Sequence, residues 1–157
     1  MFTEDEIKQR TAQLLAATGL GAVFPLPVEK VAEYLGFECH FYIPDEDIDD
    51  IAGAVSHSKR KIYVNQNNSF FQQRACIAAK VGCIVLHGAN KDYIGYLRGT
   101  NDPQERAAQS FAQNLLMPEA IFREKWHETQ HDIDQLVQFF GVSQFAILER
   151  ASSLHLR

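Results

Sequence analysis

The stretch from Phe70 to Leu86, FFQQRACIAAKVGCIVL, is nearly apolar all round and follows Ser69, a residue well suited to capping a helix N-terminus. A helix without a polar face offers no side to water, so it has to lie in the middle of a domain with other elements packed around it. Its longest uncharged apolar run, Val81 to Leu86, is far too short to cross a bilayer. With 157 residues the chain is long enough to wrap such a helix, burying roughly two-thirds of the surface its unfolded form would expose. No repeat, low-complexity tract or linker divides it, so residues 1–157 read as a single domain.

The remaining composition narrows the class. A hydrophobic fraction of 46% with 22% charged residues belongs to a globular protein rather than a disordered one. A formal net charge of −5 argues against a general nucleic-acid-binding surface. The opening MFTEDEIKQR is acidic and polar, unlike a secretory signal. Cys39, Cys76 and Cys83 are odd in number and form no CxxC, which fits reduced thiols in a cytoplasm.

Around the central helix the elements alternate in type. EDEIKQRTAQLLAATG, ending at Gly19, and PLPVEKVAEYLG, with Pro27 near its start and Gly36 past its end, predict two helices. Phe37–Ile43, Ile51–His57 and Arg60–Gln66 predict strands, the last two antiparallel. Between them Asp45, Asp47 and Asp49 imitate a calcium loop, but Asp50 and Ser56 stand where that loop needs Gly and Glu, so a solvated loop is expected. DPQERAAQSFAQNLLMP has Asp102 as N-cap, Pro103 in the first turn and Pro118 as a stop. The final segment reads as helix, GVS turn, helix. From Asp132 to Arg157 it carries Asp132, Asp134 and Glu149 against Arg150 and Arg157, the wrong balance for a helix facing phosphates.

A literal HExxH occurs at His127–His131, with Glu128 beside the first histidine. On a helix such spacing aims two imidazoles at one metal and sets a carboxylate to activate its water. Here Thr129 and Gln130 fill the inner positions and Lys125 and Asp132 flank them, so no apolar stripe accompanies the histidines. The segment reads instead as a solvated connection ahead of a helix capped by Asp132.

Taken in order, PVEKVAEYLGFE, IAGAV, KIYVNQN, QQRACIA, ERAAQSFAQNLLMP and FGVS resemble the landmarks of the ImmA/IrrE family of bacterial and phage metallopeptidases. FAQNLLMP is the most specific of them. Along their active-site helix, members of this family read approximately T-I-A-H-E-L-G-H-x-L-L-H, where this sequence has CIAAKVGCIVLH. The resemblance therefore sets Ala79 at the first zinc histidine, Lys80 at the catalytic glutamate and Cys83 at the second zinc histidine. Glu105 matches the third ligand and Gln109 replaces a usual asparagine. Ala79 offers no ligand atom, and an ammonium at Lys80 repels a dication and does not serve as a base.

From these residues, no catalytic group and no metal are expected. The binding-cleft candidates are Lys80, Cys83, His87, Glu105 and Gln109, with Lys80 expected to pair with Glu105 in place of the metal's charge. The alternative is an active zinc peptidase with atypical ligands, either Cys83, His87 and Glu105 or His127 and His131. A Cys83–His87 nucleophile pair lacks an orienting third group. The resemblance implies an α+β, zincin-like fold with a small, mainly antiparallel sheet and a central buried former active-site helix. It also implies a protein partner, such as a helix-turn-helix repressor or another phage or mobile-element protein, held without being cut. Neither direct nucleic-acid binding nor a membrane is expected.

Overall fold

The computed structural model describes residues 1–45, 51–96 and 102–157. The calcium-like run, apart from Asp45, lies outside them. Among the described residues there are seven helices and one four-stranded sheet, the α+β class expected. None of these helices is long and apolar enough to cross a membrane.

Helix α1 (Glu4–Thr18) starts at the Thr3 cap and stops where Gly19 takes a left-handed φ of 72°. Its buried Ile7, Leu14 and Leu15 share one face, turned toward α4 (Pro103–Leu116). Helix α2 (Val28–Tyr34) buries Val28, Val31 and Ala32 against the central helix and the first strand.

Strands β1 (Glu38–Tyr42), β2 (Ile51–Ser56), β3 (Lys61–Asn65) and β4 (Tyr93–Tyr96) are ordered β1-β3-β2-β4. β1 runs parallel to β3, while β2 pairs antiparallel with both β3 and β4. The sheet is mainly antiparallel, as expected. Its edge strand β4 was not anticipated from the sequence, because YIGY is short and carries a mid-strand glycine.

Val55, Ile62 and Val64 form the sheet's inner face, and α3 (Phe70–His87) lies across it. Ser69 and Gln72 close a reciprocal capping box at the start of α3, and from Cys76 to Leu86 the helix buries all but Ala79 and Val85. α3 also packs on α4, with Gly82 at the crossing. A Cβ at Gly82 would lie 3.0 Å from the Ala108 carbonyl oxygen and 3.0 Å from Phe111 Cβ, so the two backbones meet there. Gly82→Val is accordingly expected to cost about 2–3 kcal/mol by overpacking, measured by urea unfolding. A loss below about 0.5 kcal/mol would show that the helices can part freely.

Helices α5 (Glu119–Glu128), α6 (Ile133–Phe140) and α7 (Gln144–Ser153) complete the fold. Two buried arginines fasten them to the rest. From α3, Arg74 donates Nε to the Gly141 carbonyl at 2.8 Å, Nη1 to Leu26 at 2.8 Å and Nη2 to Phe140 at 3.3 Å. From α7, Arg150 donates Nε to the Met117 carbonyl at 3.0 Å and Nη2 to Asn114 Oδ1 at 3.2 Å. The landmarks QQRACIA, FGVS and NLLMP thus meet at two guanidinium groups, each stripping backbone or amide oxygens of water and replacing it.

Candidate functional site

Between α3 and α4, roofed by β2 and β4, lies a cleft of about 230 Å³. Ala79, Lys80 and Cys83 reach it from α3, Glu105 and Gln109 from α4, and Gly95 from β4. All five positions on α3 and α4 that the resemblance singles out around the former motif share this cleft. The helical repeat explains it: residues three and four apart stand on one face of α3, and Glu105 and Gln109 are one turn apart on α4. Cys76 joins Lys80 and Cys83 on the same stripe, a lining residue that the sequence did not single out. Its spacing of four before Lys80 was the signal available.

Glycines on the sheet make room for these side chains. Gly53 and Gly95 are register partners in β2 and β4. A Cβ at Gly53 would fall on Cys76 Sγ and lie 2.7 Å from the Tyr63 carbonyl oxygen, whereas one at Gly95 would fall on Lys80 Nζ. Lys80 therefore lies flat over bare backbone and is 3% exposed. Cys76 donates weakly to the Ala52 carbonyl at 3.4 Å.

Burial pushes the Cys76 thiol up to about 11 and raises that of Cys83, while the Lys80 ammonium pulls both partly back. Glu105 raises Cys83 further. Outside the cleft, burial and nearby glutamates push Cys39 up to about 12. All three thiols stay protonated at neutral pH. Because their folded values exceed the ordinary thiol value of 9.0, their contribution to stability is present below pH 9 and is lost as pH rises toward 11 and 12. The melting temperature is expected to hold steady up to about pH 8.5 and to fall between pH 9 and about 12. A flat profile across that window would contradict burial of these thiols.

The expected Lys80–Glu105 ion pair is not formed: among the described residues no ion pair joins them. Glu105 is half-buried and Gln109 exposed at the mouth. His87 points elsewhere, its Nε2 lying 3.0 Å from the Gln104 carbonyl and its ring near Phe2.

The zinc implied by the resemblance can be judged by the donors present. The cleft holds two protonated thiols, Cys76 and Cys83, and the Glu105 carboxylate, with the Lys80 ammonium on the same helix face as the thiols. Among the described residues no three His, Cys, Asp or Glu groups are placed to hold a metal. This donor set does not fit a catalytic zinc, which takes three protein ligands and an open position.

HETQH has a different geometry from that of a helical zinc motif. α5 ends at Glu128, and Gln130 and His131 take left-handed φ values of 55° and 66°. His127 thus lies in the last turn of a helix while His131 lies in the turn that follows it, stacked on Trp126 with ring centroids 4.5 Å apart. The His127 and His131 centroids are 6.3 Å apart and tilted by 61°. A turn, not a continuous helix, separates the two imidazoles.

No curated protein matches the sequence. Among solved structures the fold is similar to a Mycobacterium tuberculosis transcriptional regulator, with a TM-score of 0.67 at 13% identity. That likeness covers 94% of this protein but 46% of the other, so the sequence spans about half the length of the regulator. The Peptidase_M78 model, described as the IrrE N-terminal-like domain, matches residues 41–152, which hold strands β2 to β4, the cleft and both buried arginines. The chain belongs to the IrrE N-terminal-like family of peptidase domains.

Proposed function

We propose that this protein is a regulatory binding protein that holds a protein partner in the cleft of a peptidase fold without cutting it. The observation that carries the reading is Lys80: a buried ammonium lines the cleft at the position the resemblance assigns to the catalytic carboxylate. A second groove of about 470 Å³ supports it. This groove shares Gln72, Ala75, Ala79 and Gln109 with the cleft and continues to Phe145 on α7, which is 73% exposed. Together the two make a surface long enough for a peptide segment with an aromatic anchor at one end. By the family resemblance, a helix-turn-helix repressor or another phage or mobile-element protein is the partner.

Protein purified without a histidine tag tests the reading by zinc content and by capture from a native-host lysate. The expected outcome is zinc well below one equivalent and a co-purifying protein of unaltered mass. Ala79→Trp, which fills the junction of both grooves, should abolish capture. Stoichiometric zinc lost on Cys83→Ser, or a partner recovered in cleaved form, would favour the atypical-ligand peptidase instead.

A further inference from the structure

We propose that Lys80 makes the cleft a receptor for a carboxylate presented by the partner, either an Asp or Glu side chain or a free C-terminus. The proposal rests on the binding reading above and supplies its chemistry. Lys80 is 3% exposed, lines the cleft, and among the described residues makes no hydrogen bond or ion pair. Its Nζ is not among the fully buried polar atoms left without a partner, so it keeps contact with the solvent of the cleft, and an arriving carboxylate would replace that contact with a charge-assisted bond.

The neighbours leave that charge uncompensated. Cys76 and Cys83, the nearest acids on the same helix face, remain neutral thiols. Glu105 is the competing anion, but it is half-buried with access to water, whereas Lys80 is pinned over Gly95. The cleft's amides divide in the same sense. Gln72 accepts from the Ser69 backbone N–H through Oε1, which leaves its Nε2 able to donate, while Asn68 donates to the Ala52 carbonyl at 3.4 Å. Gln109 makes no hydrogen bond among the described residues and can donate to the ligand's second oxygen. A carboxylate entering past Gln109 would meet one cation and at least one amide donor, with Glu105 able to accept an N–H from the same ligand. That combination selects a peptide carrying a carboxylate over a free inorganic anion, which has no N–H to offer Glu105.

Titration of the ¹⁵N-labelled protein, followed by amide shifts, tests this with three probes: acetyl-Gly-Asp-Gly-amide, acetyl-Gly-Gly-Gly with a free carboxyl, and acetyl-Gly-Asn-Gly-amide. Saturable shifts at Lys80, Cys83 and Gly95 are expected for at least one carboxylate probe. Binding should be at least about tenfold tighter than for the Asn probe, as a charge-assisted bond implies. The first two probes distinguish a side-chain from a terminal carboxylate. Lys80→Met, of similar length and without charge, should erase the difference. Equal response to the Asp and Asn probes, or no saturable shift up to about 20 mM, would overturn the proposal; the wild-type comparison decides even if the variant misfolds. Undiminished partner capture by folded Lys80→Met would also overturn it. The binding reading would then stand, since that reading fails only through Ala79→Trp, zinc or cleavage.

Discussion

Replacing Ala79 by His, Lys80 by Glu and Cys83 by His together is expected to turn the cleft into a stoichiometric zinc site. Positions 79 and 83 are one helical turn apart on a single helix, and both line the cleft that Glu105 faces from α4. The substitutions provide two imidazoles in reach of an existing carboxylate and remove the ammonium that opposes a dication. That meets the requirement of three ligands with one open position. The variant should carry about one zinc per molecule, and the wild type under about a tenth. Zinc at a thousandfold excess over Kd stabilises the bound form by about 4 kcal/mol, which for a protein of this size raises Tm by about 10 °C. Without metal the variant should melt below the wild type, because the introduced glutamate would be a buried carboxylate sharing a cleft with Glu105. A folded triple variant that takes up no zinc would mean that the cleft does not have the geometry of the family's metal site.

Arg74→Ala should cause the largest stability loss of any single polar substitution proposed for this protein. Its guanidinium, 8% exposed, serves three carbonyls on two separate segments and lies over the Phe70 ring at 5.8 Å. The Phe140 and Gly141 carbonyls are end groups of α6, which have no intrahelical partner and carry the negative end of its dipole. Charge-assisted bonds of this kind contribute about 1.5–3 kcal/mol each and do not add fully, so roughly 3–5 kcal/mol should be lost. A domain with ordinary marginal stability would keep little of its margin. Urea unfolding should show a lower midpoint at unchanged m-value, with Arg74→Lys falling between alanine and wild type. A change below about 1 kcal/mol would mean that water replaces the guanidinium without penalty. Gly141 belongs to the same joint: at φ 66°, a Cβ there would lie 2.9 Å from both Arg74 Nε and Pro25 Cβ.

Much of the fold was legible because its signals are local. The caps at Ser69, Asp102 and Asp132, the left-handed stops at Gly19 and Gly141, and the all-round apolar helix each follow from bonds a few residues apart. β4 was not legible, since a four-residue edge strand is held by its pairing with β2 rather than by its own residues. For the site, spacing alone places Ala79, Lys80 and Cys83 on one face of α3 and Glu105 with Gln109 on one face of α4. It does not say how far the two faces stand apart, so the expected Lys80–Glu105 ion pair agreed with the spacing and is still absent among the described residues.

The two candidate zinc motifs separate what each level of structure decides. By itself the sequence determined that HETQH lacks an apolar stripe and that CIAAKVGC carries a lysine and a cysteine where the family resemblance expects a catalytic glutamate and a ligand. Those are properties of residue identity and helical period. Tertiary structure alone decided that His87 leaves the cleft for the Gln104 carbonyl and the Phe2 ring. It also decided that Gly53 and Gly95 open the sheet for Cys76 and Lys80, and that Lys80 shares a cleft with Glu105 without pairing to it. These depend on distances between segments far apart in the sequence, which packing sets and no local pattern encodes.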